Sequence, residues 1–206
     1  MGLSRNRWIL AAGVTGTAAA VVVAGAVAAN AAQEQPKPRP SASAPAAPST
    51  EDAPPVHAKL GKVVETGFAA KKGTWVIYAV PVDMKEVPGT HFGVMVGLKK
   101  GTAIEDVIVA NETVGSDKAP GFHGVSGSMD INGEKNPAFG YYVGDATKIT
   151  AKAGKRTVVA SQAAWSEDAA VKFFWFDPKT ADVSDLEAYD SAGRKLPGGN
   201  NTVSVG

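Results

Sequence analysis

From Phe92 to Leu98 the chain alternates with a period of two: Phe92, Val94, Val96 and Leu98 fall on one side, Gly93, Met95 and Gly97 on the other. That period is the signature of a strand. Thr74–Val82 (TWVIYAVPV) is apolar at both odd and even positions, as expected of a strand covered on both faces, and Pro81 marks its end or a sheet edge. Ala103–Ala110, Phe139–Val143 and Thr147–Lys152 read as further strands, the last two divided by Gly144-Asp145. Lys148–Lys152 and Arg156–Ser161 flank Ala153-Gly154-Lys155, a hairpin signal in which the glycine supplies a positive φ. Val171–Phe176 (VKFFWF) has two apolar faces and is expected at the centre of a sheet. Leu186–Tyr189 turns through Asp190-Ser191-Ala192-Gly193 into Arg194-Lys195-Leu196, a second hairpin.

No long window carries a helical stripe, and the pattern allows only short helical turns at Ala163–Ala170 and Pro178–Leu186. About seven to nine short strands at near-regular spacing predict an all-β domain, a single β-sandwich (immunoglobulin-like or related) with an open barrel as the alternative. Between the strands, Asn111–Pro137 reads as a long, polar, glycine-rich loop, the place where a site is most expected.

The pattern changes completely before residue 56. Met1–Arg7 carries two arginines, Trp8–Ala29 is uncharged and rich in Ala, Val and Gly, and Ala29-Asn30-Ala31 offers a small-residue cleavage site. This is the layout of a secretory signal, with an uncleaved membrane anchor as the alternative, since about 20 apolar residues span a bilayer. Asn6 separates Arg5 from Arg7, so a twin-arginine signal is not supported. Gln33–Pro55 contains seven prolines among Ala and Ser and no large apolar residue, a composition that favours a disordered, extended linker. At about 3.1 Å per residue it reaches roughly 70 Å. The expected organisation is therefore 1–31 signal peptide or anchor, 32–55 linker and 56–206 β-sandwich domain. Either fate of the N-terminus places the domain outside the cytoplasm, with membrane contact only through the N-terminal segment if it is uncleaved.

Charge and composition then exclude classes of function. From Val56 onward there are 17 Lys and Arg against 17 Asp and Glu, a neutral domain without a basic stripe. Nucleic acid, whose binding depends on phosphate neutralisation, is a poor partner for it. The absence of cysteine removes disulfides, thiolate metal sites and a catalytic thiol.

The candidate chemistry is sparse. His57, His91 and His123 lack a metal-ligand spacing. Ser126, in Gly124-Val125-Ser126-Gly127-Ser128, falls one residue short of a nucleophile elbow, although His123 and Asp130 are near it in sequence. Asp130-Ile131-Asn132-Gly133-Glu134 resembles the start of a calcium loop but lacks its later ligands, and Asn132-Gly133 reads better as a tight turn. Glu167-Asp168 reads as an exposed turn rather than half of a catalytic carboxylate pair. Asn111-Glu112-Thr113 and Asn200-Asn201-Thr202 match the glycosylation pattern. Trp75, Tyr78, Tyr141, Tyr142, Trp165 and Trp175 are expected mostly in the core, although a surface row of them would suit stacking on sugars. No catalytic, cofactor-binding or metal-ligating residue is assigned.

Phe139–Ser166, with its G-x-A-x-x-I-T strand and glycine hairpin, and Val171–Leu196, with its aromatic strand and A-Y-D-x-x-G-R-x-L hairpin, resemble the C-terminal parts of exported or membrane-anchored β-rich proteins of high-GC Gram-positive bacteria that have no assigned activity. The resemblance implies compartment and β-architecture, and no site residue. The expected function is a non-enzymatic surface or secreted interaction module for a protein or cell-wall polymer. A carbohydrate- or wall-binding module is the first alternative, and a hydrolase sited in 111–137 the second.

Overall fold

The computed structural model describes residues 57–180 and 182–204. The signal or anchor at 1–31 and the linker at 32–55 lie outside the described residues. Among those described there is no helix, in keeping with the all-β class read from the alternation. The strands, in chain order, are β1 (Leu60–Ala70), β2 (Gly73–Pro81), β3 (Phe92–Lys100), β4 (Ala103–Asn111), β5 (Gly121–Ser126), β6 (Phe139–Val143), β7 (Lys148–Ala153), β8 (Arg156–Val159), β9 (Ser161–Ala164), β10 (Val171–Trp175) and β11 (Val183–Tyr189).

These strands form three antiparallel sheets. The first is the meander β1-β2-β3-β4, the second has the order β5-β6-β10-β9, and the third β11-β7-β8. β2 and β3 pair without interruption from Thr74↔Lys99 to Pro81↔Phe92, and Pro81, which has no N–H to give, ends its strand. The aromatic strand β10 lies between β6 and β9, the central position expected of its two apolar faces.

Side-chain parity shows how the sheets stack. Trp75, Ile77 and Ala79 of β2 and Phe92, Val94 and Val96 of β3 meet Phe139, Tyr141, Phe173 and Trp175 of the second sheet in one core. The opposite face of that second sheet carries Phe122, Tyr142 and Phe174, which meet Ile149, Ala151, Leu186 and Ala188 of the third in another. A two-sheet sandwich was the expectation. The structure adds a third sheet, so the middle one is buried on both sides. Fully burying a Phe or Leu stabilises by about 1.5–3 kcal/mol, and Phe122, Phe139, Phe173 and Phe174 are all inaccessible.

Three expectations need correction. Ser161–Ala164 is strand β9, not a helical turn. It follows β8 after Ala160 alone, whose N–H bonds Ile149 O at 2.9 Å while the chain passes from the third sheet into the second. Pro178–Leu186 is a turn followed by β11. Asp185, at φ 48°, bulges that strand, so Val183 and Leu186 face the core at a spacing of three that imitates a helix. Asn111–Pro137 is not one loop, because β5 runs through it with every residue buried. Gly124, at φ 50°, bulges β5, and a Cβ there would lie 3.0 Å from the Ala110 backbone, so the close approach of β4 requires glycine.

The outer edge of β5 is closed by the segment 198–204, which runs parallel to it. Phe122 N donates to Gly198 O, Asn200 N to Phe122 O, Ser204 N to Val125 O and Gly127 N to Ser204 O, at 2.8–3.2 Å. The two expected hairpins form as read, with Ala153↔Arg156 closing one and a Tyr189↔Lys195 bridge closing the other.

Candidate functional site

Two places on the molecule concentrate chemistry. The first is a buried node around Glu112, which follows β4 directly and is 1% exposed. Its Oε1 accepts the N–H groups of Thr113 and Val114 (2.8 and 3.0 Å) and the Asn200 side chain (3.1 Å), and its Oε2 meets His123 Nδ1 at 2.5 Å. Burial pushes the Glu112 carboxyl up. The hydrogen bonds from Val114, Asn200, His123 and Thr113 outweigh that and leave it below its ordinary value. His123 Nε2 lies 2.6 Å from Ala119 O, which can only accept, so that nitrogen carries a hydrogen. Tyr141 stacks on the imidazole at 5.1 Å, Phe92 on Tyr141 at 4.9 Å and Trp165 on Phe92 at 4.7 Å.

A hydrolase needs a histidine nitrogen free to take a proton from its nucleophile. His123 has a carboxylate within reach, as that reading requires. Its hydrogen bonds nevertheless go to Glu112 and Ala119, and Ser126 Oγ bonds Gly127 O at 3.3 Å instead. The arrangement ties β4, β5 and the 198–204 segment together and leaves no nitrogen to act as base. Sequence reading passed over Glu112. Its only signal was an acidic residue amid the glycosylation pattern, and both pattern asparagines turn out to bond it, Asn111 to its carbonyl and Asn200 to its carboxylate.

Beside this node, Asp117 accepts the His91 N–H at 2.7 Å, with the exposed His91 ring 3.4 Å away. Asp117 Oδ1 and the Tyr141 hydroxyl are buried without a partner. Burial first, and then the charges of Asp117 and Glu112, push the Tyr141 hydroxyl far above its ordinary value. His57 belongs to a separate contact: its N–H and Nδ1 both reach Asp106 Oδ2 at 2.8 Å, while the Tyr78 hydroxyl donates to Oδ1. Tyr78 crosses β3 over Gly97, where a Cβ would meet the ring at 2.9 Å. The three histidines therefore lie apart, and among the described residues no group of three or more metal-ligating side chains converges.

The remaining candidates have structural explanations. Asn132 (φ 56°) and Gly133 (φ 76°) form the centre of a tight hairpin turn closed by Asp130↔Lys135, with Asp130 Oδ1 accepting the Gly133 N–H. Asp168 pairs with Lys118, whose ammonium also lies 5.2 Å from the Trp165 ring. Trp75, Tyr78, Tyr141, Tyr142, Trp165 and Trp175 are all at most 8% exposed, so the surface row that would stack on sugars is not formed by them.

The second place is an open groove at one end of the first core. The 130–135 turn reaches over the β1–β2 turn, where Lys71 N donates to Glu134 Oε1 at 2.8 Å and Lys71 Nζ to Gly133 O at 2.6 Å. On either side of this clasp lies a hollow, one of about 580 Å³ and one of about 130 Å³, both lined by Trp75 and Glu134. The larger is floored by Phe68, Ala69 and Trp75 and bordered by Asp177, Pro178 and Lys179. Five lysines (71, 72, 100, 135 and 179) and three acids (Glu105, Glu134 and Asp177) line the two hollows, a positive excess in a neutral domain. Lys100 is paired with Glu105, and Lys135 approaches Asp182 at 3.8 Å. Lys72 and Lys179 have no carboxylate within 4 Å among the described residues.

Compared with protein families, with curated proteins and with solved structures, the chain matches none.

Proposed function

We propose that the chain works outside the cytoplasm as a surface or secreted interaction module, a β-sandwich-type domain that takes its partner in the groove beside Trp75. One observation carries the reading: a hollow of about 580 Å³ with an apolar floor of Phe68, Ala69 and Trp75 and a charged border. That size and lining are those of a binding site, which pairs an apolar surface with a few placed polar groups. The apolar N-terminal run and the proline-rich stretch after it support the location, by supplying an export address and a spacer that holds a domain away from a membrane.

The test compares the full chain with its Phe68→Asp variant, each incubated with envelope fractions, with retained material identified by mass spectrometry. The expected result is a partner retained by the wild type and lost by the variant, while the two give the same circular dichroism. A partner retained equally by both sinks the groove. Recovery of the native protein from soluble intracellular material sinks the location.

A further inference from the structure

Building on that groove as the binding surface, we infer that its occupant is an extended peptide segment with acidic side chains, added beside the open end of β1. The first half of the outer edge of β1 is already occupied. Leu60 O accepts the Trp165 indole N–H at 2.9 Å, Lys62 N donates to Ser166 Oγ at 2.8 Å, and Thr66 O accepts the Trp175 indole N–H at 3.2 Å. Beyond Thr66 the capping stops. Among the described residues, Gly67–Ala69 contact only β2 and the Thr66 hydroxyl through their backbone, and these same three residues form a wall of the larger hollow.

An uncapped sheet edge beside a hollow is the geometry of strand addition, in which main-chain bonds give affinity and alternate side chains give specificity. In an extended segment neighbouring side chains point to opposite sides, and those two apart lie about 7 Å from each other. One set then rests on Phe68 and Trp75, and the other meets the border. That border has a lysine excess, and Lys72 and Lys179 are the two ammonium groups without a carboxylate, so the complementary set is acidic. A polyphosphate or polyol would satisfy the lysines but has no apolar side chains for the floor and no N–H groups for the strand edge.

The experiment uses the full chain and three probes: a dye-labelled dodecapeptide alternating Glu with Val and Thr, its Lys counterpart, and inorganic polyphosphate. Binding is read by fluorescence anisotropy at low and high salt, and the contact by amide shifts of ¹⁵N-labelled protein. The acidic peptide is expected to bind and to shift Gly67–Ala69. Reversing both free lysines (Lys72→Glu with Lys179→Glu) is expected to weaken it about tenfold or more, since each exposed pair contributes modestly and both change sign. High salt should weaken it likewise. The reversed variant should in turn prefer the Lys peptide, a gain that misfolding cannot produce. Polyphosphate bound in the groove with the acidic peptide rejected overturns the peptide and leaves the groove standing. Indifference of Gly67–Ala69 to every probe and to the envelope partner removes the groove as well.

Discussion

Glu112 shows how one side chain can determine what a glycine-rich stretch becomes. It is an ionised carboxylate enclosed by protein, and it is tolerable there because four donors from three segments converge on its two oxygens. Glu112→Gln removes the charge while keeping the shape, leaving His123 Nδ1 facing an amide. Breaking a buried pair in this way costs about 3–5 kcal/mol, and urea denaturation should show a loss of that order. The pH dependence follows from the depressed Glu112 carboxyl. Its contribution is whole above the ordinary carboxylate range, near pH 4.3, and is lost as the pH falls through the lower folded value. Asp106 acts with the same sign. Burial raises it, but the hydrogen bonds from Tyr78 and His57 and the His57 charge bring it below its ordinary value. Stability should therefore decline on the acid side in the wild type, and decline less steeply in Glu112→Gln.

At the scale of elements, the parallel segment 198–204 is the part most exposed to a decisive test. Ending the chain after Pro197 removes four backbone hydrogen bonds to β5 and its flank, together with the Asn200 contact to Glu112. At about 1 kcal/mol net for each bond, a loss of roughly 4 kcal/mol is expected in denaturation. The uncovered β5 edge should also self-associate, which sedimentation would detect as dimer or larger species. This segment was not legible in the sequence, since Gly198-Gly199-Asn200-Asn201 carries no strand pattern and its pairing is set by what it lies against. β1 was missed for a related reason. Two register shifts interrupt its ladder, Gly61 and Gly67 take positive φ, and its burial never alternates cleanly. β2, β3, β6, β7 and β10 were legible because nothing interrupts their period. The node and the groove were not, because both are assembled from residues far apart: Glu112 with Asn200, and Phe68 with Lys179.

For the molecule as a whole, the two-sided middle sheet has a kinetic consequence. Its central pair joins Phe139–Val143 to Val171–Trp175 across a stretch that builds much of another layer, and Trp175 must also reach Thr66 before the first core closes. Contacts this distant make chain closure the slow event, so refolding from denaturant should take milliseconds to seconds, with no microsecond phase that recovers the native tryptophan fluorescence. A chain that stays open for so long remains threadable after synthesis, which is what passage through a narrow export channel demands. Once across, the same distant contacts make it slow to come apart.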